Sequence, residues 1–181
     1  RIRPPVWSRS TMIGMLVIGS TMSPLMVISI CMTPPFWFAA ILPCRQRLLQ
    51  QRFGAQFSDS LSVREQHGRD ESAFTTVPPP AGVVFAESTA DVQDAVRLCA
   101  QHRIPVIPYG VGTSLEGHLL AVQGGISIDL GRMNRVLSVN AEDLTVTVQP
   151  GVTREQLNAE IKSTGLFFPI DPGANATLGG M

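Results

Sequence analysis

One stretch narrows the fold more than any other. The apolar run "IPVIPY" (Ile104 to Tyr109) empties into a glycine loop, "YGVGTSLEGHL", and the next regular run, "GISIDL" at residues 125–130, is again strand-like. Strand, glycine loop, strand is not the strand-turn-helix of a dinucleotide fingerprint, which needs a helix N-terminus behind its glycines. Gly110 and Gly112 open a G-x-G-x-x-G pattern, but Leu115 stands in place of its third glycine. Gly112 and Gly117 match the glycines of G-x-x-x-x-G-K-[ST], yet His118 and Leu119 occupy the lysine and hydroxyl positions, so a nucleotide triphosphatase is a poor fit.

The surrounding elements read as mixed α and β. "GVVFA" (Gly82 to Ala86) is a short β-branched run, and Ser88 followed by Asp91 predicts a helix start. Val92, Ala95, Val96 and Cys99 then recur at i, i+3, i+4 and i+7, an apolar stripe on a helix ending near His102 or Arg103, with His102 as a cap or surface residue. "RVLSVN" and "LTVTVQP", joined by the turn chemistry of "NAEDL", predict a hairpin. Thr153 with Gln156 opens a second helix, buried through Leu157 and Ile161 and closed by Gly165. Upstream, "SVREQHGRDESAFTTVPPPA" is polar and then proline-rich. It reads as an extended approach, and Pro78, Pro79 and Pro80 forbid helix at its end.

The loop itself is a backbone nest. The N–H groups of Gly110, Val111, Gly112, Thr113 and Ser114, with the Thr113 and Ser114 hydroxyls, suit a diphosphate without help from a cation. A tight turn that holds no ligand is the competing reading of this loop alone. "VQPGV", with Pro150 and Gly151, and "FPIDPGANATLGGM" supply two further small-residue turns whose backbone can lie flat against a ligand. One extended groove accounts for the three better than three unrelated turns do.

Charge and cysteine usage exclude other classes. All 14 acidic residues lie from Asp59 onward, so residues 59–181 carry eight basic against fourteen acidic residues, a net charge of −6. A nucleic-acid partner needs a basic face and is not expected. Cys31, Cys44 and Cys99 have neither the mutual spacing nor the spacing to His67, His102 or His118 of a zinc site, and each is expected to be a small buried or incidental thiol. Residues 1–50 read as a leader outside the fold. No charge interrupts Thr11 to Cys44, a run long enough to cross a bilayer, but Pro24, Pro34, Pro35 and Pro43 break it. An acid-free, Arg-bearing leader favours the mitochondrion over secretion; a membrane-anchoring segment and a spurious start stay open as alternatives.

Five ordered blocks carry a family resemblance: "REQHGRDES", "PVIPYGVGTSLEGH", "VQGGISIDLGRMNRVL", "VTVQPGVT" and "GLFFPIDPGANATLGGM". From about Val63 to Met181 the chain resembles the FAD-binding domain of the flavoproteins that include p-cresol methylhydroxylase and vanillyl-alcohol oxidase. The resemblance implies an α+β, PCMH-type domain of two subdomains with FAD between them. Residues 82–181 would be its N-terminal part and residues 51–81 the approach. It implies that the main chain of Tyr109, Gly110, Val111, Gly112, Thr113, Ser114 and Leu115, continuing to Gly117, wraps the FAD pyrophosphate. Pro150 and Gly151 would lie along the cofactor, and Asp171, Pro172, Gly173, Thr177, Gly179 and Gly180 would approach the ribityl and flavin side. Asp171, being acidic, is given a backbone-organising role. Some relatives tether the flavin through a loop histidine; positions 110–117 hold none, so non-covalent FAD is expected, with His118 structural.

The resemblance also implies the reaction. A D-2-hydroxy acid such as D-lactate gives its α-hydrogen as hydride to flavin N5, and the electrons pass to a cytochrome-type acceptor; D-2-hydroxyglutarate oxidation and alkyl-glycerone-phosphate synthesis are alternatives within the family. A non-catalytic product is the alternative outside it. The catalytic histidines, and the divalent metal of the substrate domain, belong to a part of the family sequence that follows Met181. No catalytic residue is therefore assigned, His67 is expected to be peripheral and structural, and residues 1–181 alone are expected to be inactive and to hold FAD weakly.

Overall fold

The computed structural model describes residues 46–73 and 77–181, so the apolar run at 12–42 lies outside it, together with Cys31 and Cys44. Four strands form the first sheet in the order β1-β2-β4-β3. β2 (Gly82–Phe85), β4 (Ile126–Asp129) and β3 (Val106–Tyr109) run parallel, and the two-residue β1 (Phe57–Ser58) pairs antiparallel at the edge. The predicted strand-helix-strand unit is present, but its strands are not neighbours. The chain leaves β2, returns through α3 (Thr89–Gln101) to β3, and only then places β4 between them. Central placement explains why the alternation in "ISID" opens no solvent face: Ile126, Ser127 and Ile128 are all buried.

The first core lies on this sheet. Val84, Ile126 and Ile128 pack with Ala95 and Cys99 of α3. Within the predicted stripe Val92 is half-buried but Val96 is 43% exposed, and Leu98, outside the stripe, packs against the core on the opposite flank. Burial pushes the Cys99 thiol up to about 11, which makes it an inert packing group. His102 is the C-cap of α3, as expected. At the other end the Ser88 hydroxyl accepts from the Asp91 N–H (3.2 Å), and Asp91 Oδ2 accepts from Ser88 Oγ (2.9 Å) and the Glu87 N–H (3.2 Å). Ser88→Ala should therefore cost about 1 kcal/mol in urea unfolding without altering the groove described below.

Two expectations for the first 81 residues need correction. The fold begins before residue 50: a helix, α1, spans 46–53 and buries Leu49 and Phe53 in the first core, while the Gln46 side chain donates to the Ala81 carbonyl (2.6 Å). Only an i, i+4 pair marks its inner face, too little periodicity beside the long apolar run that precedes it. The approach is also not extended throughout, since Leu61–Gln66 forms a helix, α2. None of its residues is buried, so no apolar pattern announces it; it is held by Arg64 Nε donating to the Pro80 carbonyl (2.6 Å). The three prolines are non-helical, as expected.

A second core belongs to β5 (Val136–Asn140) and β6 (Thr145–Val148), the predicted hairpin, packed against α4 (Arg154–Ile161). Val152, Leu157 and Ile161 are its centre. Thr153 caps α4 by accepting from the Gln156 N–H (3.2 Å), but the Gln156 side chain donates to the Asn134 carbonyl (2.8 Å) and does not return to the cap. A single 3-10 turn, Lys162–Thr164, extends the helix to Gly165, whose φ of 74° ends it.

Candidate functional site

The three parallel strands end level with one another. Phe85, Asp129 and Tyr109 are register partners, so the chain leaves β3 and β4 at the same carboxyl edge, where ligands bind in open sheets of this kind. No helix follows the loop after Tyr109. The loop instead meets the other two small-residue turns, and the three line one groove of about 660 Å³. Tyr109, Gly110, Val111, Gly112, Thr113, Ser114 and Leu115 form one wall; Pro150, Pro172, Thr177, Gly179 and Gly180 form the other. The expectation of one extended groove matches this geometry.

Small residues are required because the turns touch. A Cβ on Gly151 would sit 2.4 Å from the Leu130 carbonyl oxygen and 2.9 Å from that of Met133. One on Gly179 would sit 2.5 Å from Pro150 Cβ, and one on Gly110 2.6 Å from Thr177 Oγ1. Main-chain bonds close the same contacts: Gly151 N–H to the Met133 carbonyl (2.8 Å), Leu178 N–H to Val152 (2.8 Å) and Gly179 N–H to Pro150 (2.9 Å).

The loop differs in this respect. Among the described residues no acceptor meets the N–H groups of Gly110, Val111, Gly112, Thr113 or Ser114. Gly112, with φ of 81°, reverses the chain there, and the run of unpaired donors borders the groove. Among the described residues neither Lys nor Arg lines it and Glu116 is its one carboxylate side chain, so an anion at residues 110–114 would be met by main-chain donors and hydroxyls. Five small or uncharged residues with free amides suit a diphosphate, and the loop carries no carboxylate until Glu116.

Four of the expected residues stand beside the groove and not in its wall. Gly151 is packed beneath it, Gly117 is in the return of the loop with φ of 77°, and Asp171 and Gly173 belong to the outer turn. Asp171 accepts from the Gly173 N–H (3.1 Å) and pairs with Arg154 (3.4 Å), contacts that organise backbone. Sequence reasoning left out Leu130, Ile170, Ala176 and Met181, apolar wall residues at strand and turn ends without a chemical signature. His118 also borders the groove, its Nδ1 2.9 Å from Ser114 Oγ.

His67 is not peripheral. It is 3% exposed, with Nδ1 2.8 Å from the Val63 carbonyl oxygen and Nε2 2.8 Å from Asp129 Oδ2, and its ring lies 4.2 Å from that of Tyr109. Glu65 and Arg69 beside it in sequence are exposed, while its own ring packs against Tyr109. Burial, with the nearby Asp129 carboxylate, raises the Tyr109 hydroxyl pKa above its ordinary value. Among the described residues no group of three or more His, Cys, Asp or Glu could hold a metal ion, and no helix is long and apolar enough to cross a membrane.

The chain is similar to known proteins in sequence and fold. The "FAD binding domain" family model matches residues 80–181. "Probable D-lactate dehydrogenase, mitochondrial" of Danio rerio is 50% identical over 120 residues, 66% of this chain and 24% of the relative. "D-lactate dehydrogenase [cytochrome], mitochondrial" of Arabidopsis thaliana is 42% identical over 116 residues (64% and 20%), and D-2-hydroxyglutarate dehydrogenase of Escherichia coli is 38% identical over 147 (78% and 14%). The chain thus spans at most about a quarter of the length of these relatives. Among solved structures, an alkyldihydroxyacetonephosphate synthase superposes with a TM-score of 0.67 at 28% identity, covering 76% of this chain and 30% of that one. p-Cresol methylhydroxylase shares the fold with a TM-score of 0.56 at 20% identity over 70% and 25% of the two chains. The fold is therefore the PCMH type. Because the matched region takes in all three turns of the groove, the chain belongs to the FAD-binding domain family.

Proposed function

We propose that this chain supplies part of the FAD site of an enzyme that oxidises a D-2-hydroxy acid, D-lactate first, to the 2-oxo acid. The observation that carries the proposal is the row of unpaired amides from Gly110 to Ser114 on the groove wall, in a chain 50% identical over 120 residues to a protein named as a D-lactate dehydrogenase. When bound, the flavin supplies the chemistry by accepting hydride from the substrate carbon.

The chain's own residues bind and orient. Main-chain N–H groups of residues 110–114, with the Thr113 and Ser114 hydroxyls, would hold the diphosphate, and Leu115 and Gly117 would carry the loop past it. Pro150 and Gly151 bring the opposite wall within reach. Pro172, Thr177, Gly179 and Gly180 would face the flavin side, with Asp171 and Gly173 shaping their turn. Residues 110–117 hold no histidine, which supports a non-covalent cofactor, and the position of His118 against Ser114 supports a structural role for it. A cytochrome-type acceptor and a mitochondrial location are proposed from the names of the relatives. The divalent metal of the substrate domain is not proposed of this chain, since among the described residues no group of three or more His, Cys, Asp or Glu could hold one.

D-2-hydroxyglutarate is the second reading, favoured by the longer match to the Escherichia coli relative but at lower identity. Anaerobic addition of D-lactate to the full-length holoprotein should bleach its flavin absorbance faster than D-2-hydroxyglutarate does, with L-lactate inert. Faster bleaching by D-2-hydroxyglutarate would replace the D-lactate reading.

A further inference from the structure

The segment His67–Ser72 lies upstream of the region that the family model matches, yet it touches the glycine loop at its start, middle and end. At the start, the His67 ring packs on Tyr109, the residue from which the loop departs, and meets the Phe85 ring edge-on at 5.6 Å. An acceptor at each ring nitrogen, Val63 O and Asp129 Oδ2, fixes the plane of the imidazole. Asp129 is itself held, its Oδ1 accepting from the Gly131 N–H at 2.7 Å. In the middle, the Glu71 N–H donates to the Ser114 carbonyl at 2.9 Å. At the end, the Asp70 carboxylate faces the N–H groups of Gly117 and Leu119. Its Oδ1 accepts twice from Ser72, from N (3.1 Å) and Oγ (2.5 Å), while its buried Oδ2 has no partner in strict hydrogen-bond geometry among the described residues. Burial acts to raise the Asp70 pKa, but the Ser72 bonds and the two loop amides outweigh it and hold the carboxyl below its usual range.

These contacts have a common sense of direction. The segment engages the Ser114 carbonyl, sets the Asp70 carboxylate near the amides of Gly117 and Leu119, and leaves the amides of 110–114 without an acceptor among the described residues. A loop of glycines loses conformational entropy when it is ordered, and a scaffold that orders it beforehand lowers the cost of binding. We propose that His67 and Asp70 are positioning residues that hold the pyrophosphate loop from behind, so that its donors are set before the cofactor arrives. The proposal rests on the FAD reading above for the identity of the ligand, and on the loop contacts for the clamp.

Asp70→Asn keeps the oxygen that Ser72 holds and removes the charge facing Gly117 and Leu119. In the ligand-free protein, deuterium exchange across residues 110–119 should accelerate about tenfold. FAD and ADP should each weaken about tenfold, with an unfolding midpoint like that of the wild type. Asp70→Glu, which restores the charge, should recover part of both, and His67→Asn should release exchange at the Tyr109 end first. Wild-type exchange and affinity in Asp70→Asn would overturn the clamp, as would losses that merely follow the unfolding midpoint in every variant. If the wild type binds neither FAD nor ADP, the FAD reading fails by itself. The exchange result then decides the clamp alone: acceleration sustains it, and no change overturns it.

Discussion

Gly151→Ala is expected to destabilise the protein by about 3 kcal/mol and to remove FAD binding with it. The added methyl would face three carbonyl oxygens, those of Leu130, Met133 and Gly131 at 2.4, 2.9 and 3.0 Å, and all three are main chain. No side chain can turn aside to make room, so the turn after β6 must move away from the turn after β4. That movement breaks the Gly151 bond to Met133 and shifts Pro150, on which Gly179 is packed and to which its N–H donates. Urea unfolding and flavin titration on the same preparations would read both effects. Gly131→Ala is the comparison, since its methyl would meet only the Asp129 side chain at 3.0 Å and should cost clearly less. A Gly151→Ala protein with wild-type midpoint and affinity would mean that the three turns are not packed as described.

The second large effect separates binding from stability. Thr113→Asp puts a carboxylate on the groove wall, among amides that lack an acceptor. The fold should tolerate it, because Thr113 is half-exposed and the free N–H groups offer the new charge local partners. A diphosphate would then meet a like charge in place of a hydroxyl, and FAD and ADP should each weaken about a hundredfold, roughly 2.7 kcal/mol. Thr113→Asn, similar in shape and neutral, should retain most of the affinity. Equal affinities for the two variants would show that the loop does not face the phosphates.

Elements with a local signature were legible in the sequence. Ser88 and Thr153 announce their helices through caps, the "NAEDL" turn announces the hairpin, and the strand-loop-strand passage from Ile104 to Leu130 already spoke against a helix-backed dinucleotide turn, as His118 and Leu119 did against a triphosphatase loop. What was not legible depends on tertiary contact. α2 has no buried residue to set a period, and α1 has only Leu49 and Phe53. The insertion of β4 between β2 and β3 is invisible in chain order. In the site, glycine composition pointed to the three turns, but the burial of His67 under Tyr109 did not show, because a histidine among charged residues reads as surface. Leu130 and Ala176 shape the groove with ordinary apolar side chains and carry no signal at all.

In the function proposed, main-chain donors of the glycine loop take the diphosphate of FAD, and calorimetric titration of this chain reads that contact. Weak but saturable binding of FAD is expected, with displacement by ADP, which shares the diphosphate, and little displacement by riboflavin, which lacks it. Displacement by riboflavin with none by ADP, or no saturable FAD binding at all, would contradict it.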